Sequence, residues 1–254
     1  MCKTTINLAK TNLRHLQVPY VLTGILAGII AVQMLVFVIL GQAGMDVNFQ
    51  SLISVGNFLW LLPLLAAIFI PARNFRRVIN LGGKRENFFW GSLMAYSVLA
   101  AIVSLANIVI FYAIDRPVIR AGHFHPFHPF EPGAFVMSEP GHIGGVANLV
   151  EVFGWAGNGM LLAFLQQFAL LFLISAFVHT LTAIQVKWYG WVADVALIAI
   201  ISVFTPIPVL RRALVWFFNL IIFHDVAVLQ VAACIVLALG IYMINKPVLA
   251  RRAI

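Results

Sequence analysis

Residues 73–91 read RNFRRVINLGGKRENFFWG, and this stretch decides how the rest of the chain is interpreted. It carries five of the sixteen Lys and Arg residues, and apolar runs long enough to cross a bilayer flank it. On a helical wheel one face is polar and comprises Arg73, Arg76, Arg77, Asn80 and Lys84. Much of the remaining surface is apolar and comprises Phe75, Val78, Ile79 and Leu81. The pattern predicts a short basic helix across the membrane exit, begun after Pro71 and ended by Gly82-Gly83.

The composition is that of a chain solvated by lipid. Of the 254 residues, 63% are hydrophobic and only 9% are charged, whereas soluble domains usually carry about 25% charged residues. The net charge is +8, but the basic residues form no surface that is separate from the apolar runs. We therefore expect no nucleic-acid partner and treat the positive charge as a signal of membrane topology. Cys2 and Cys234 lie far apart and match no metal or disulfide spacing.

Apolar runs of about 20 residues, the length that spans a bilayer, mark the membrane crossings. The predicted spans are Tyr20–Leu40, Ile53–Pro71, Phe88–Ile114, Val152–Val178, Tyr189–Phe204 and Asp225–Ile244. The sequence therefore predicts an all-α membrane protein that forms one transmembrane domain over residues 1–254. Twelve of the sixteen Lys and Arg residues fall on the side of the N-terminus and four on the other side, which predicts both termini inside.

Two segments do not count as simple spans. Residues 1–19 place Ile6, Leu8 and Leu13 among basic residues, which predicts an amphipathic helix on the inner surface. Residues 206–224 are apolar but short and contain Arg211 and Arg212, so we expect a re-entrant or interfacial outer segment. A seventh span there is the alternative, and it would place the basic C-terminus outside.

The basic stretch has two interpretations when it is considered alone. Its side chains suit anchoring to anionic lipid headgroups, which needs neither a helix with defined ends nor the turn that follows. A helix with defined ends suits recognition by a partner protein.

The pattern Gly82-x-x-Arg85-x-x-Phe88-Phe89-x-Gly91, preceded by Arg77, resembles the inner loop of ABC-2-type transporter permeases. The surface helix, the six spans and the apolar segment before the last span extend the resemblance to most of the chain. Lys84 departs from the family, which often has Ser or Thr at that position.

The resemblance implies a function for this loop, which is a coupling helix that docks into a separate ATPase subunit. Carried over to residues 72–87, the docking set comprises Arg73, Phe75, Arg76, Arg77, Val78, Asn80, Leu81, Gly82, Arg85, Phe88 and Phe89. The last three of these would fix the turn into the third span. The resemblance further implies a subunit of an exporter in a bacterial cytoplasmic membrane, carrying an amphipathic or hydrophobic substrate such as an antimicrobial or signalling peptide or a lipid-like compound.

The chain itself carries no ATP-binding motif, so we expect it to be a transport subunit and no enzyme. Gly83-Lys84 is followed by Arg85 where a P-loop needs Ser or Thr, and Val78 stands where it needs Gly. ATP and Mg would therefore be bound by the partner ATPase, and this chain would bind no cofactor. Six spans are half of what such transporters use, which implies a second permease copy or a paralogous permease.

The predicted outer loop, residues 115–151, offers a different function. It contains His123, His125, His128 and His142, with carboxylates nearby that together suit Zn or Cu. Prolines interrupt the histidines, so no helix would bring them onto one face. The alternative to the permease is a stand-alone channel, or a metal-sensing or redox membrane protein that uses these histidines.

Polar residues inside the predicted spans are candidates for a substrate path. Gln166 and Gln167 lie at mid-span, and Asp194 lies in the fifth span. Hydrogen bonding between spans is the competing explanation for all three. His179 suggests a haem ligand, but a second axial ligand at its depth is hard to find.

Overall fold

The computed structural model describes residues 2–42, 52–117, 146–185, 188–204, 206–224 and 226–250. The first half contains the helices α1 (Cys2–Arg14), α2 (Gln17–Gln42), α3 (Val55–Phe58), α4 (Leu61–Phe69), α5 (Phe75–Asn80) and α6 (Arg85–Ile110). The second half contains α7 (Leu149–Val152), α8 (Met160–Ile184), α9 (Trp188–Phe204), α10 (Pro208–Phe218) and α11 (Ala227–Ala250). Three π-helical turns interrupt this pattern: π1 (Ile70–Asn74), π2 (Phe111–Asp115) and π3 (Asn219–Phe223).

Five of the described helical segments are long and apolar enough to cross a membrane. They are Gln17–Leu40, Val55–Asn80, Arg85–Asp115, Met160–Ile184 and Ala227–Pro247. A sixth crossing arises only if Gly190–Phe204 and Pro208–Phe223, which meet at a bend of 114°, form one broken span. The chain is thus a helical membrane protein with several crossings, and the predicted fifth span is one arm of a bent pair.

The second span does not end at Pro71, contrary to the sequence-based prediction. Proline lacks an N–H group and its ring clashes with the carbonyl four residues earlier, which usually breaks a helix. Here the wider turn π1 accommodates it, and the Phe75 N–H donates to the carbonyl of Ile70, five residues back. The helix continues to Asn80, so the predicted separate coupling helix is the end of the second span.

The fourth span begins later than the predicted Val152. A short 3-10 turn, Trp155–Asn158, lies between two glycines with positive φ, Gly154 at 73° and Gly159 at 86°. Left-handed backbone at both positions interrupts a helix, so α8 starts only at Met160. The hydropathy pattern did not reveal this interruption because the residues on both sides are apolar.

Helix α8 lies at the centre of the bundle. It packs along α11 and also contacts α6 and α4. The buried core at these contacts contains Phe88, Phe89, Tyr96 and Tyr242. Helix α2 contacts mainly α3 and α4, and α9 contacts mainly α10 and the end of α8. The two peripheral helices therefore leave large apolar faces uncovered by the described protein.

The N-terminal helix is amphipathic as predicted, but protein covers its buried face. Helix α1 packs on the start of α6, with Thr5, Ala9 and Asn12 buried. The contact is close because a Cβ at Gly91 would lie 3.3 Å from the Leu8 side chain and from the Thr5 carbonyl. This helix is therefore part of the bundle at its basic end, the end at which α1, α5 and the first turn of α6 meet.

A segment just before α3 pairs with a segment just before α7 in the only described strands. Leu52–Ile53 and Val146–Ala147 form a two-residue parallel ladder. We call this the loop end of the bundle, because the described structure stops after residue 117 and resumes at residue 146 here. The ladder is a small exception to the all-α prediction.

Substitution of Gly190 by Ala is expected to separate α9 from α8. A Cβ at Gly190 would lie 2.5 Å from both the Gln185 Cα and the Ile184 carbonyl oxygen, which are backbone atoms that cannot rotate away. We expect a loss of about 1–3 kcal/mol in the free energy of unfolding in detergent, as for other overpacked sites. The control is Gly240→Ala on α11, where a Cβ meets nothing within 4 Å. Equal stability of the two variants would contradict the close approach.

Candidate functional site: the basic end of the second span

The basic helix ends in a glycine stop, as the sequence predicted, although this helix is the end of the second span. Gly82 has a φ of +81°, in the left-handed region that favours glycine. Its N–H donates to the Ile79 carbonyl at 2.9 Å, and the Gly83 N–H donates to the Val78 carbonyl at 2.9 Å. These two bonds form a Schellman motif. The helix therefore has a fixed end, and the chain turns at once into α6.

The predicted polar face is exposed to solvent. Arg73, Arg76, Arg77, Asn80 and Lys84 are all exposed. The side chain of Leu81, at the tip of the turn, is 81% exposed, whereas Phe75 on the opposite side is 1% exposed. Val78 and Arg85 are half-buried. The tip thus presents guanidinium groups around one exposed leucine, a combination that suits a protein partner with an acidic, partly apolar groove.

Three buried phenylalanines, Phe75, Phe88 and Phe89, lie at the turn between the second and third spans. The rings of Phe75 and Phe88 meet edge to face, with centroids 5.2 Å apart, and Phe88 is fully buried. The ring of Phe89 lies 4.5 Å from that of Tyr242 on α11, whose hydroxyl donates to the Phe89 carbonyl at 2.8 Å. The basic tip is therefore attached to α6 and, through α6, to α11.

Helix α1 also holds the tip, which sequence reasoning missed. The Asn74 side-chain N–H donates to the Asn12 Oδ1 at 3.3 Å, and the Asn12 amide donates to the Ser92 hydroxyl at 3.4 Å. Arg77 Nη1 lies 3.3 Å from the His15 Nδ1. The only sequence signal for these contacts was a polar residue, Asn12, on the buried side of an amphipathic helix.

The electrostatic potential at the tip is positive. The pKa of His15 is lowered by partial burial and then by the charges of Arg77, Arg14 and Arg73. Proton binding at His15 is therefore disfavoured by three guanidinium groups from two different helices. An anionic group that approached this end would be attracted by the same charges.

His179 lies in the core and not at an accessible ligand position. Its Nδ1 is 2.6 Å from the Tyr96 hydroxyl, and its ring is 5.0 Å from that of Tyr242. These three buried side chains come from α8, α6 and α11, respectively. The histidine therefore connects three helices just beyond the Phe89–Tyr242 contact.

The candidate path residues do not come together. The Gln166 side chain donates to the Gln230 Oε1 at 2.5 Å, and Gln230 in turn donates to the Ile221 carbonyl in π3 at 2.9 Å. Gln167 is fully buried, and neither of its amide atoms has a hydrogen-bond partner among the described residues. Asp194 is half-buried on α9 and accepts a bond from Gln185 at 3.1 Å. Gln166 thus positions the bent segment, and Asp194 joins α9 to the end of α8.

The predicted histidine site, His123, His125, His128 and His142, lies outside the described residues. Within the ranges that the structure describes, no three His, Cys, Asp or Glu side chains are close enough to hold a metal ion.

A second polar cluster at the loop end was not predicted. We call it the loop-end clasp, and it comprises Ser54, Asn107, Asp115 and Asn148, all fully buried. The Asp115 Oδ2 accepts bonds from the Ser54 hydroxyl and from the Asn148 amide, each at 2.7 Å. The Asn148 amide also lies 3.0 Å from the Asn107 Oδ1. The clasp joins the end of the third span to Asn148, which follows residues 118–145, and to Ser54, which precedes α3.

Substitution of Asn148 by Ala is expected to loosen the loop end. The buried Asp115 carboxylate would lose the hydrogen bond from the Asn148 amide and keep the one from the Ser54 hydroxyl. The Val150 N–H would lose the Asn148 Oδ1 that accepts its hydrogen bond. We expect a loss of about 1–3 kcal/mol in the free energy of unfolding, the usual cost of an unsatisfied buried polar group. Asn7→Ala, at an exposed position on α1, is the control. A loss no larger than that of the control would show that the clasp contributes nothing.

Comparisons with protein-family models, with curated proteins and with solved structures found no match to this chain. A functional assignment therefore depends on the residues and contacts described above.

Proposed function

We propose that this chain is the membrane-spanning permease subunit of an ATP-driven ABC transporter, with ATP hydrolysed by a separate subunit. The observation that carries the proposal is the basic tip, a helix end with three exposed arginines that stops at Gly82 and is anchored by Phe75 and Phe88. Such a tip matches the docking role that the resemblance to ABC-2-type permeases implies. It differs from the expected coupling helix in being continuous with the second span.

Continuity strengthens the mechanical argument. Because residues 61–80 form an uninterrupted helical run, a displacement of the tip would move most of the second span directly and would not be absorbed by a flexible joint. The Phe75–Phe88 contact passes the displacement to α6, and the Tyr242–Phe89 hydrogen bond passes it to α11. An ATPase that closed around the tip would thereby shift three spans together.

The two helical segments that meet at the bend, Gly190–Phe204 and Pro208–Phe223, also fit the architecture that the resemblance to ABC-2-type permeases implies. Arg211 and Arg212 are exposed on α10, after the 114° bend. The following turn, π3, is held at its carbonyls, since Trp155 donates to Ile222 at 2.9 Å and Gln230 donates to Ile221 at 2.9 Å. A short, charged, re-entrant element before the last span is what the resemblance implies for residues 206–224.

The uncovered faces of α2 and α9 fit a transporter made of two permeases. Val32 on α2 and Ile198 on α9 are each 65% exposed, and their neighbours are similarly apolar. In a pair of permeases, such faces would meet lipid, the second copy or the substrate. The bias of Lys and Arg favours both termini inside. The resemblance implies export of an amphipathic or hydrophobic compound across a bacterial cytoplasmic membrane, and we adopt both as part of the proposal.

Isolation of the tagged full-length chain from its native membrane tests the proposal. We expect a co-isolated subunit with a P-loop sequence, and ATP hydrolysis by the complex that is inhibited by vanadate. The matched sample is the same preparation after the ATPase has been removed with high salt, which should hydrolyse no ATP. A chain that isolates without any P-loop protein and shows no ATP hydrolysis would contradict the assignment.

A further inference from the structure

A groove beside the π1 turn combines an apolar half and a cationic half on the outside of the bundle. It has a volume of about 390 Å³ and is lined by Ile68, Phe69, Ala72, Arg73 and Arg76. The wider π1 turn lies within it, at Ile70–Asn74. Arg77, by contrast, points to α1, where it contacts His15.

The two halves of the groove face different environments along the second span. Ile68 and Phe69 belong to the apolar part of the span. The side chain of Ile68 is 37% exposed, at a depth where the surroundings are expected to be hydrocarbon. Arg73 and Arg76 follow within about one to two turns, close to the polar tip. A single ligand that fills the groove must therefore be apolar at one end and anionic at the other.

The described residues do not neutralise the charge in the groove. No ion pair or hydrogen bond to the guanidinium group of Arg73 or Arg76 is found in the part of the chain that the structure describes. Burial, and then the charges of Arg77, Arg14 and Arg73, lower the pKa of His15, so Arg73 adds to a group of positive charges at this end. Two neighbouring guanidinium groups suit a phosphate, which accepts paired N–H donors.

We propose that this groove binds one anionic phospholipid, with its phosphate on Arg73 and Arg76 and an acyl chain along Ile68 and Phe69. A water-soluble protein cannot reach the apolar half inside the hydrocarbon layer, whereas a lipid of that leaflet is present at the right depth with both chemistries. Arg73 and Arg76 also belong to the proposed docking set, but the lipid site does not depend on the proposed function, because its test measures lipid bound to the permease alone. Arg77 and Leu81 do not line the groove. The bound lipid fills the space beside π1 and supports the turn through which the tip connects to the span.

Native mass spectrometry of the full-length protein, released from nanodiscs of equal phosphatidylglycerol and phosphatidylcholine, tests the site. We expect wild type to retain phosphatidylglycerol with a preference on the order of thirtyfold, the effect of two arginines near an anionic headgroup. Arg73→Gln with Arg76→Gln should reduce the preference to near unity. Arg73→Lys with Arg76→Lys should keep part of it, because the charge remains.

The control is Lys84→Gln, which removes an exposed charge beyond the glycine stop and outside the groove. It should retain lipid as wild type does. Soluble glycerol phosphate should not displace the lipid, since it lacks the acyl chain. The proposed site is contradicted if wild type shows no preference for phosphatidylglycerol, or if Lys84→Gln loses as much of this preference as the groove variant. Full displacement of the lipid by glycerol phosphate would also contradict it. The wild-type preference and the competition need no variant to fold.

Discussion

Substitution of Phe88 by Ala is expected to lower the free energy of unfolding by about 3–5 kcal/mol, the range for buried phenylalanines. The ring is fully buried and meets Phe75 edge to face at 5.2 Å, so its removal leaves a cavity between the second and third spans. Denaturation of the purified protein in detergent, followed by tryptophan fluorescence, measures the loss. The matched control is Ile102→Ala on the same helix, where the side chain is 57% exposed and the effect should stay within about 0.5 kcal/mol.

A double-mutant cycle shows whether the two rings act as a pair. Phe75→Ala combined with Phe88→Ala should cost less than the sum of the single substitutions, by about 0.5–1.5 kcal/mol. Additive losses would mean that the tip is not attached to the third span through these rings. The proposed transmission of movement from the tip would then lack its first contact.

The glycine stop and the polar face were predictable because they depend only on neighbouring residues. A Schellman end needs a residue that tolerates positive φ beside the last turn, and Gly82 supplies it. Exposure of the arginines followed from their spacing, since a helix in lipid must turn its charges toward water or protein. Both features lie within about three turns of chain.

The continuity through Pro71 was not predictable from local rules. A π turn is unfavourable alone, and here Pro71 and Asn74 are buried, with Asn74 bonded to Asn12 on a helix more than fifty residues away in the chain. The loop-end clasp was missed for the same reason, since Ser54 and Asn148 are distant in sequence. Hydrophobic periodicity reports which face of a helix is buried, and it does not report which polar groups meet there.

A cluster of glycines indicates the interruption before the fourth span, but hydropathy alone does not detect it. Gly154, Gly157 and Gly159 lie close together in an apolar stretch, and two of them adopt positive φ. A glycine cluster of this kind is evidence against a continuous helix. Given that signal, the start of α8 could have been placed near Met160.

If the proposed docking to an ATPase is correct, reversal of charge at the tip, Arg76→Glu with Arg77→Glu, is expected to abolish co-purification of that ATPase. Both side chains are exposed and lie within the docking set, so glutamates would face a groove shaped for cations. Like charges brought together at an interface cost several kcal/mol, which corresponds to a loss of more than about a hundredfold in affinity. The ATPase retained by the tagged permease after solubilisation, quantified relative to wild type, measures the effect.

The control for this measurement is Arg211→Glu with Arg212→Glu, an adjacent exposed pair on α10, in the segment expected at the outer face. We expect the tip variant to insert into the membrane in normal amount and to retain no ATPase. We expect the control to retain as much ATPase as wild type. Equal retention of ATPase by wild type, the tip variant and the control would contradict the proposal that the basic end of the second span is the docking site.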